Sequence, residues 1–162
     1  WIGKNSNLIS RKAGSFVLIG EILINLDLPA RKVPENDFCG SCTLCIESCP
    51  TEAILPGRTI DANRCISYQT IEHKDPIPEE LKGNMENRFF GCDICQDVCP
   101  WNRKALLHTE PRFEPTEELM EMSKEEWSGL EEERFEKLFR RSAVKRAGLE
   151  KIRKTIAFLT GV

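Results

Sequence analysis

The stretch GCDICQDVCP, residues 91–100, ends like a ferredoxin-type iron–sulfur motif, with cysteines spaced C-x2-C-x3-C and a proline after the last. Bacterial ferredoxin runs begin with one more cysteine, but Phe89 stands at that position here. A complete run lies upstream, CGSCTLCIESCP at residues 39–50, with the spacing C-x2-C-x2-C-x3-C-P. The chain therefore carries one complete and one incomplete run, and the missing ligand has to come from elsewhere.

The two runs predict how the eight cysteines are divided. In two-cluster ferredoxins the first three cysteines of a run bind one [4Fe–4S] cluster and the fourth binds the other cluster. Cys65 is the one cysteine that neither run uses, so we predict that it replaces the ligand missing at Phe89. The predicted ligands are Cys39, Cys42, Cys45 and Cys99 for the first cluster, and Cys49, Cys65, Cys92 and Cys95 for the second.

Zinc and disulfide bonds are the alternatives for these cysteines. One zinc site takes four ligands and leaves four cysteines unexplained, and two zinc ions give the repeated Cys-Pro ending no role. Disulfide frameworks are typical of small secreted domains, whereas no export signal is recognisable here. The pattern favours iron–sulfur clusters, and we expect a cytoplasmic location.

Composition gives few further signals. The formal net charge of −3 is no general signature of polyanion binding, so a nucleic-acid surface has to be local. The apolar stretch at residues 16–26 is interrupted by Glu21 and Asn25 and is too short to span a bilayer. The chain starts at Trp1 without an initiating methionine, and we expect a piece of a longer, monomeric protein.

Three regions differ in composition. Residues 1–36 include the apolar segment SFVLIGEILINLDLP at residues 15–29, for which we favour a buried strand over a buried helix. We expect this segment to have lost packing partners that lay upstream. Residues 37–107 contain all the cysteines, and Asp61 is the predicted N-cap of a short helix that carries Cys65. Residues 108–162 are predicted to be helical, with a capping box formed by Ser123 and Glu126.

The helical region carries an apolar and a basic pattern. Helical spacing predicts that one set of apolar side chains packs into a core: Phe135, Leu138, Phe139, Val144, Ile152, Ile156 and Leu159. Basic residues concentrate between residues 140 and 154, and we predict that Arg146 and Lys151, together with Lys74, contact nucleic acid. A solvated helix face is the alternative explanation for such a run.

Five stretches together resemble the C-terminal half of the epoxyqueuosine reductase family. They are WIGKN at residues 1–5, GSFVLIGEIL at 14–23, CGSCTLCIESCPTEAI at 39–54, IDANRCISYQTIE at 60–72 and FFGCDICQDVCPWN at 89–102. The matching stretches around Cys65 and Cys92 include more residues than cluster binding alone requires, so the resemblance is specific. It extends more loosely to the end of the chain.

The resemblance implies a fold and an activity. The expected fold is α+β: a two-cluster ferredoxin-like domain at residues 37–107, preceded by the end of an α/β cobalamin-binding lobe at 1–36 and followed by a helical tail at 108–162. The implied reaction converts epoxyqueuosine to queuosine at the tRNA wobble position with cobalamin, two [4Fe–4S] clusters and an external low-potential electron donor. The alternative is an electron-transfer module of another reductase, such as a cobalamin-dependent reductive dehalogenase.

The resemblance also implies where the site residues lie. The catalytic aspartate of the family lies upstream of Trp1, so no catalytic residue is expected in this chain, which should be inactive alone. We predict that Ser67, Cys92 and Asp93 contact cobalamin. Whether Ser67 and Asp93 instead only make local hydrogen bonds stays open at this point.

Overall fold

A computed structural model describes residues 1–29 and 36–161. Within these residues the structure is mostly short helices with a single two-stranded sheet. The α-helices are α1 (Leu44–Glu47), α2 (Ile66–Ile71), α3 (Lys82–Met85), α4 (Ile94–Asp97), α5 (Glu117–Glu121), α6 (Lys124–Ser128), α7 (Glu132–Phe139), α8 (Val144–Ala147) and α9 (Leu149–Thr160). Strands β1 (Ile54–Leu55) and β2 (Thr59–Ile60) pair antiparallel, with Ile54 opposite Ile60. Short 3-10 helices cover Ala62–Arg64, Glu79–Leu81, Pro100–Asn102 and Pro111–Phe113.

The chain divides into two compact units. The first unit combines Trp1–Cys49, Ile54–Ile60 and Ile94–Leu107, and the second combines Pro50–Ala53, Asp61–Asp93 and His108–Val162. Each unit is therefore assembled from separate segments, whereas the regions predicted from composition are continuous. No helix of the described residues is both long and apolar enough to cross a membrane.

In the first unit, α1 packs against α4 and against β1. The N-terminal loop folds back on itself through two isolated bridges, one between Ile2 and Leu8 and one between Ser10 and Gly14. The side-chain amide of Asn102 fastens this loop, because its oxygen accepts from the Ser15 N–H at 2.7 Å and its nitrogen donates to Ser15 Oγ at 2.9 Å. A loop close to the N-terminus is thus tied to the segment after Cys99.

The predicted buried strand at residues 15–29 is wrong. Residues 16–29 form no strand, and the side chains of Leu18, Ile22 and Leu23 are 86%, 88% and 96% exposed. A β-branched, apolar sequence becomes a strand only when a neighbouring strand satisfies its backbone groups, and the described residues offer no such neighbour to this segment. The end of the predicted first region, residues 30–35, lies outside the described residues.

The second unit has two apolar cores. The larger one contains Leu130, Phe135, Phe139, Leu149, Ile152 and Ile156, with Leu138 and Val144 packed against it. The smaller contains Ile66, Ile77, Leu81 and Met85, and Leu159 packs there. The predicted apolar spacing is confirmed, but Gly148, with φ +82°, separates α8 from α9. The capping box of Ser123 and Glu126 is present. Asp61 accepts from the Asn63 N–H but caps only the 3-10 helix Ala62–Arg64. The predicted helix carrying Cys65 is wrong, because the backbone of Cys65 is extended between that 3-10 helix and α2.

Candidate metal centre

One cavity of the first unit is lined by four cysteines, namely Cys39, Cys42, Cys45 and Cys99, and has a volume of about 280 Å³. The first three lie before and within the single turn of α1, and Cys99 immediately precedes the 3-10 helix Pro100–Asn102. Proline at the first position of that helix leaves no backbone donor unsatisfied. Four thiols around one cavity are the donor set that a [4Fe–4S] cluster requires, so these residues fit the cluster.

Two aromatic side chains form part of the remaining wall of this cavity, which also includes Lys4, Asn5, Ile9 and Pro100. Phe38 and Trp101 line it, and the ring of Trp1 lies 4.8 Å from that of Phe38 and 5.0 Å from that of Trp101, both edge-on. The indole N–H of Trp101 donates to the Phe38 carbonyl at 3.3 Å. Aromatic walls keep water from a cluster, which is one of the properties that set its reduction potential.

Lys4 brings a positive charge to the same cavity. Its ammonium donates to the carbonyls of Gly40 at 2.7 Å and Cys42 at 2.9 Å, and the side chain is part of the cavity wall. The bonds fix the turn between the first two cysteines, and a nearby cation favours the more negative, reduced form of a cluster. Sequence reasoning missed Lys4, since no local spacing relates residue 4 to residue 40.

Two pKa shifts accompany the cysteine loop. Burial, followed by the neighbouring thiols of Cys39 and Cys42, raises the pKa of the Cys45 thiol. Since metal ligation requires the thiolate, iron bound at this position would displace a proton. The pKa of Asp37 is lowered, first by the Cys39 N–H and then by Arg58, whose guanidinium lies 2.7 Å away. Asp37 therefore anchors the start of the loop as a carboxylate.

The second predicted ligand set draws on both units. Cys49 and Cys95 belong to the first unit, and Cys65 and Cys92 to the second. Within the first unit, the Asn5 amide donates to the Cys95 carbonyl at 3.1 Å. The Asn7 amide donates to Cys95 Sγ at 3.9 Å. The assignment of these four cysteines to one cluster stays a prediction.

Thr70 connects the two cysteine-bearing segments of the second unit. Cys65 directly precedes α2, and the fully buried hydroxyl of Thr70 on that helix donates to the Ile66 carbonyl at 2.8 Å and accepts from the Gly91 N–H at 2.9 Å. Gly91, with φ +76°, immediately precedes Cys92. The helix after one predicted ligand is thus bonded to the turn before another.

Phe89 has a structural role of its own. Its ring lies 4.7 Å from that of Trp127, and it packs against the larger apolar core. The position where a ferredoxin run would carry a cysteine is therefore part of the packing between the cysteine region and the helical tail.

A basic pocket in the second unit includes all three residues predicted to contact nucleic acid: Lys74, Arg146 and Lys151. The pocket measures about 330 Å³, and His73 and Lys154 also line it. Desolvation lowers the pKa of Lys151, with repulsion from Lys154 as the smaller cause. Glu72 and Glu150 also line the pocket, so residues far apart in sequence create a pocket in which four cations outnumber two carboxylates.

The three residues predicted to contact cobalamin all lie in the second unit. Ser67 on α2 is half-buried and its carbonyl accepts from the Thr70 hydroxyl at 3.3 Å. Cys92 packs against the smaller apolar core, and Asp93 is exposed. Their role toward cobalamin stays a prediction.

Comparison with known proteins agrees with this geometry. Residues 38–102 match the family described as the 4Fe-4S double cluster binding domain. Across all 162 residues the chain is 52% identical to the epoxyqueuosine reductase of Leadbetterella byssophila. The chain is a homologue of the epoxyqueuosine reductases. It spans about half the length of that reductase, 52%.

Solved epoxyqueuosine reductases have the same fold over nearly the whole chain. The enzyme from Bacillus subtilis matches with a TM-score of 0.82 and 31% identity, over 98% of this chain and 42% of that one. An epoxyqueuosine reductase crystallised with an epoxyqueuosine-modified tRNA-Tyr stem loop matches with a TM-score of 0.81 and 28% identity, again over 98% and 42%. The predicted family resemblance is therefore confirmed.

Proposed function

We propose that this chain is the cluster-bearing part of an enzyme that reduces epoxyqueuosine to queuosine in tRNA. The cavity lined by Cys39, Cys42, Cys45 and Cys99 carries the proposal, because a ferredoxin-type ligand set occurs within a homologue of epoxyqueuosine reductases. The relatives are about twice as long as this chain, so the activity is proposed for the whole protein.

The residues of the chain would hold and insulate the electron carriers. The clusters, when bound, supply electrons one at a time, and the reduction of an epoxide requires two. Phe38 and Trp101 keep water from the first cluster, and the Lys4 ammonium offsets the charge that reduction adds. For the second cluster, Asn7 offers a hydrogen bond to a ligand sulfur and Thr70 fixes the turn before Cys92.

Cobalamin is the second proposed cofactor, and residues 1–36 are proposed to complete the lobe that binds it. The nine large apolar side chains exposed between Phe16 and Leu28 support this proposal, because so long an apolar stretch is expected to be covered by other sequence. Ser67, Cys92 and Asp93 are the proposed cobalamin contacts. No residue of this chain is proposed to be catalytic.

The proposed substrate is tRNA, contacted by Lys74, Arg146 and Lys151. The tRNA stem loop bound to the homologue supports this substrate, and the positive charge of the basic pocket suits backbone phosphates. A monomer in the cytoplasm, fed by an external low-potential donor, completes the proposal.

Cys65→Ala tests the cluster assignment and the activity together. In the full-length protein, loaded anaerobically with clusters and cobalamin, this variant should retain about half of the wild-type iron and sulfide and keep the spectrum of one cluster. It should leave epoxyqueuosine in tRNA unconverted, as measured by mass spectrometry of nucleosides, whereas the wild-type protein converts it. Cys39→Ala is the reciprocal control, which should keep only the other cluster. A Cys65→Ala protein with the full iron content would refute the ligand set. Cluster-replete wild-type protein that dehalogenates an organohalide and leaves epoxyqueuosine unchanged would favour the dehalogenase alternative.

A further inference from the structure

The positive charges of the basic pocket differ in how they are neutralised. Lys154 forms an ion pair with Glu150 at 2.7 Å, one helical turn away on α9. None of the ion pairs among the described residues involves Lys74 or Lys151. Lys74, Lys151 and Lys154 also line an adjoining hollow of about 290 Å³ beside Phe158, together with one carboxylate, that of Asp75. Two lysines that have no carboxylate partner within residues 1–29 and 36–161 therefore face open space large enough for a phosphate group.

Arg146, in contrast, is held by a carboxylate. Its Nη1 donates to Glu72 Oε2 at 3.0 Å, and its Nη2 donates to Glu72 Oε1 in a second parallel bond. Glu72 is the residue at the end of α2, directly before His73 and Lys74, and both partners line the basic pocket. The side chains are 65% and 47% exposed, so a ligand from solvent can reach the pair.

Carboxylate and phosphate bind a guanidinium with the same forked geometry. An RNA phosphate that approaches Arg146 would meet Glu72 in the place it needs to occupy. We propose that the Glu72–Arg146 pair is an exchangeable latch: an RNA phosphate displaces the Glu72 carboxylate from Arg146 while Lys74 and Lys151 bind neighbouring phosphates. The latch rests on the proposed tRNA substrate and adds a means of controlling how RNA is bound.

The exchange has a distinct consequence for the salt dependence of binding. Each phosphate neutralised by a protein cation releases condensed counterions, which makes affinity fall as salt rises. When a phosphate replaces Glu72, the freed carboxylate stays near the RNA and partly cancels the charge of Arg146, so less phosphate charge is neutralised and the net release is smaller. Arg146 thereby contributes less to general polyanion affinity than its charge alone predicts. An RNA that places no phosphate against Arg146 leaves the Glu72 pair intact and gains no affinity from Arg146.

Glu72→Gln tests the latch. The probe is a fluorescein-labelled tRNA anticodon stem loop, and its dissociation constant is measured by anisotropy across a range of KCl concentrations. Removing the carboxylate should tighten binding about three- to tenfold at low salt and steepen the slope of log K against log salt by at most about 0.7–0.9, the value of one full phosphate contact.

The chain offers a matched control for this substitution. Lys145, the neighbour of Arg146 on α8, pairs with Glu136, and neither residue lines the basic pocket. Glu136→Gln makes the same change in net charge and also releases a cation, yet it should change affinity less than twofold and leave the slope unchanged. Equal effects of Glu72→Gln and Glu136→Gln would overturn the latch, because they would show only the change in total charge.

A second arm separates the latch from the proposed substrate site. In the Glu72→Gln background, Arg146→Gln should remove the whole gain; a retained gain would overturn the latch. Lys74→Ala with Lys151→Ala should weaken RNA binding in wild-type and variant proteins alike. If this double substitution has no effect, the proposed RNA contacts fail and the latch fails with them. If it weakens binding while Glu72→Gln changes nothing, only the latch fails.

Discussion

Gly14→Ala should destabilise the first unit more than an ordinary glycine substitution in a turn. Gly14 has φ +69°, and a Cβ atom at this position would lie 2.1 Å from Asn102 Oδ1 and 3.2 Å from the Trp101 carbonyl oxygen. The side-chain amide of Asn102 would have to move. That amide holds Ser15 through two hydrogen bonds and donates to the Gln96 carbonyl at 2.7 Å.

The cost has two parts. A left-handed backbone conformation costs about 1–2 kcal/mol for a residue with a Cβ atom, and leaving partners of the Asn102 amide unsatisfied costs about 1–3 kcal/mol more. The free energy of unfolding should therefore fall by about 2–5 kcal/mol. Because Asn102 follows Cys99 closely, the first cluster should also be lost faster on exposure to a chelator.

Urea unfolding of the cluster-loaded protein under anaerobic conditions measures this loss. Gly57→Ala is the matched control, since Gly57 has φ +77° and a Cβ atom there would meet nothing within 4 Å, so it should cost only the backbone strain of about 1–2 kcal/mol. In an Asn102→Ala background the excess cost of Gly14→Ala should disappear. Equal losses for Gly14→Ala and Gly57→Ala in the wild-type background would refute the argument.

Three further perturbations probe the second unit. Thr70→Val removes the acceptor of the Gly91 N–H and should speed iron loss to a chelator from one cluster, whereas Thr70→Ser should behave as wild type; equal rates for both variants would contradict the positioning role. Phe135→Ala, at a side chain 2% exposed, should lower the free energy of unfolding by about 3–5 kcal/mol in urea titrations, and a loss under about 1 kcal/mol would show that the site is not tightly packed. The Ser123 N–H, followed by Arg134, lowers the pKa of Glu126. This carboxylate should thus stabilise the fold at neutral pH, and the contribution should fade as pH falls below about 4. In Glu126→Gln, the midpoint temperature of thermal unfolding should therefore fall less steeply as the pH is lowered. The same pH dependence in the variant and the wild type would contradict the assignment.

The parts of the site that the sequence could predict are those with a local signature. The four thiols that line one cavity are those that the cysteine spacing groups together, although their binding of a cluster stays a prediction. The caps at Asp61 and Ser123 follow from residues two or three positions apart. Lys4 and Asn102 could not be predicted, because each acts on residues that are distant in sequence.

The failed strand prediction has a related cause. The apolar composition of residues 15–29 indicates burial, but burial requires a partner, and no sequence pattern within the segment says where that partner lies. Phe89 shows the converse. It stands where a ferredoxin run would carry a ligand, and its contact with Trp127 shows that the position packs against the larger apolar core.

The order of the segments in the first unit also bears on how the protein is made. Cys99 leaves the ribosome 54 residues after Cys45, so a growing chain presents three thiols of the cavity well before the fourth. A cluster held by all four thiols would close that long loop as a cross-link does and would remove chain entropy from the unfolded state. It would then stabilise the fold as well as carry electrons, and a shortage of iron during synthesis would leave the first unit without this cross-link.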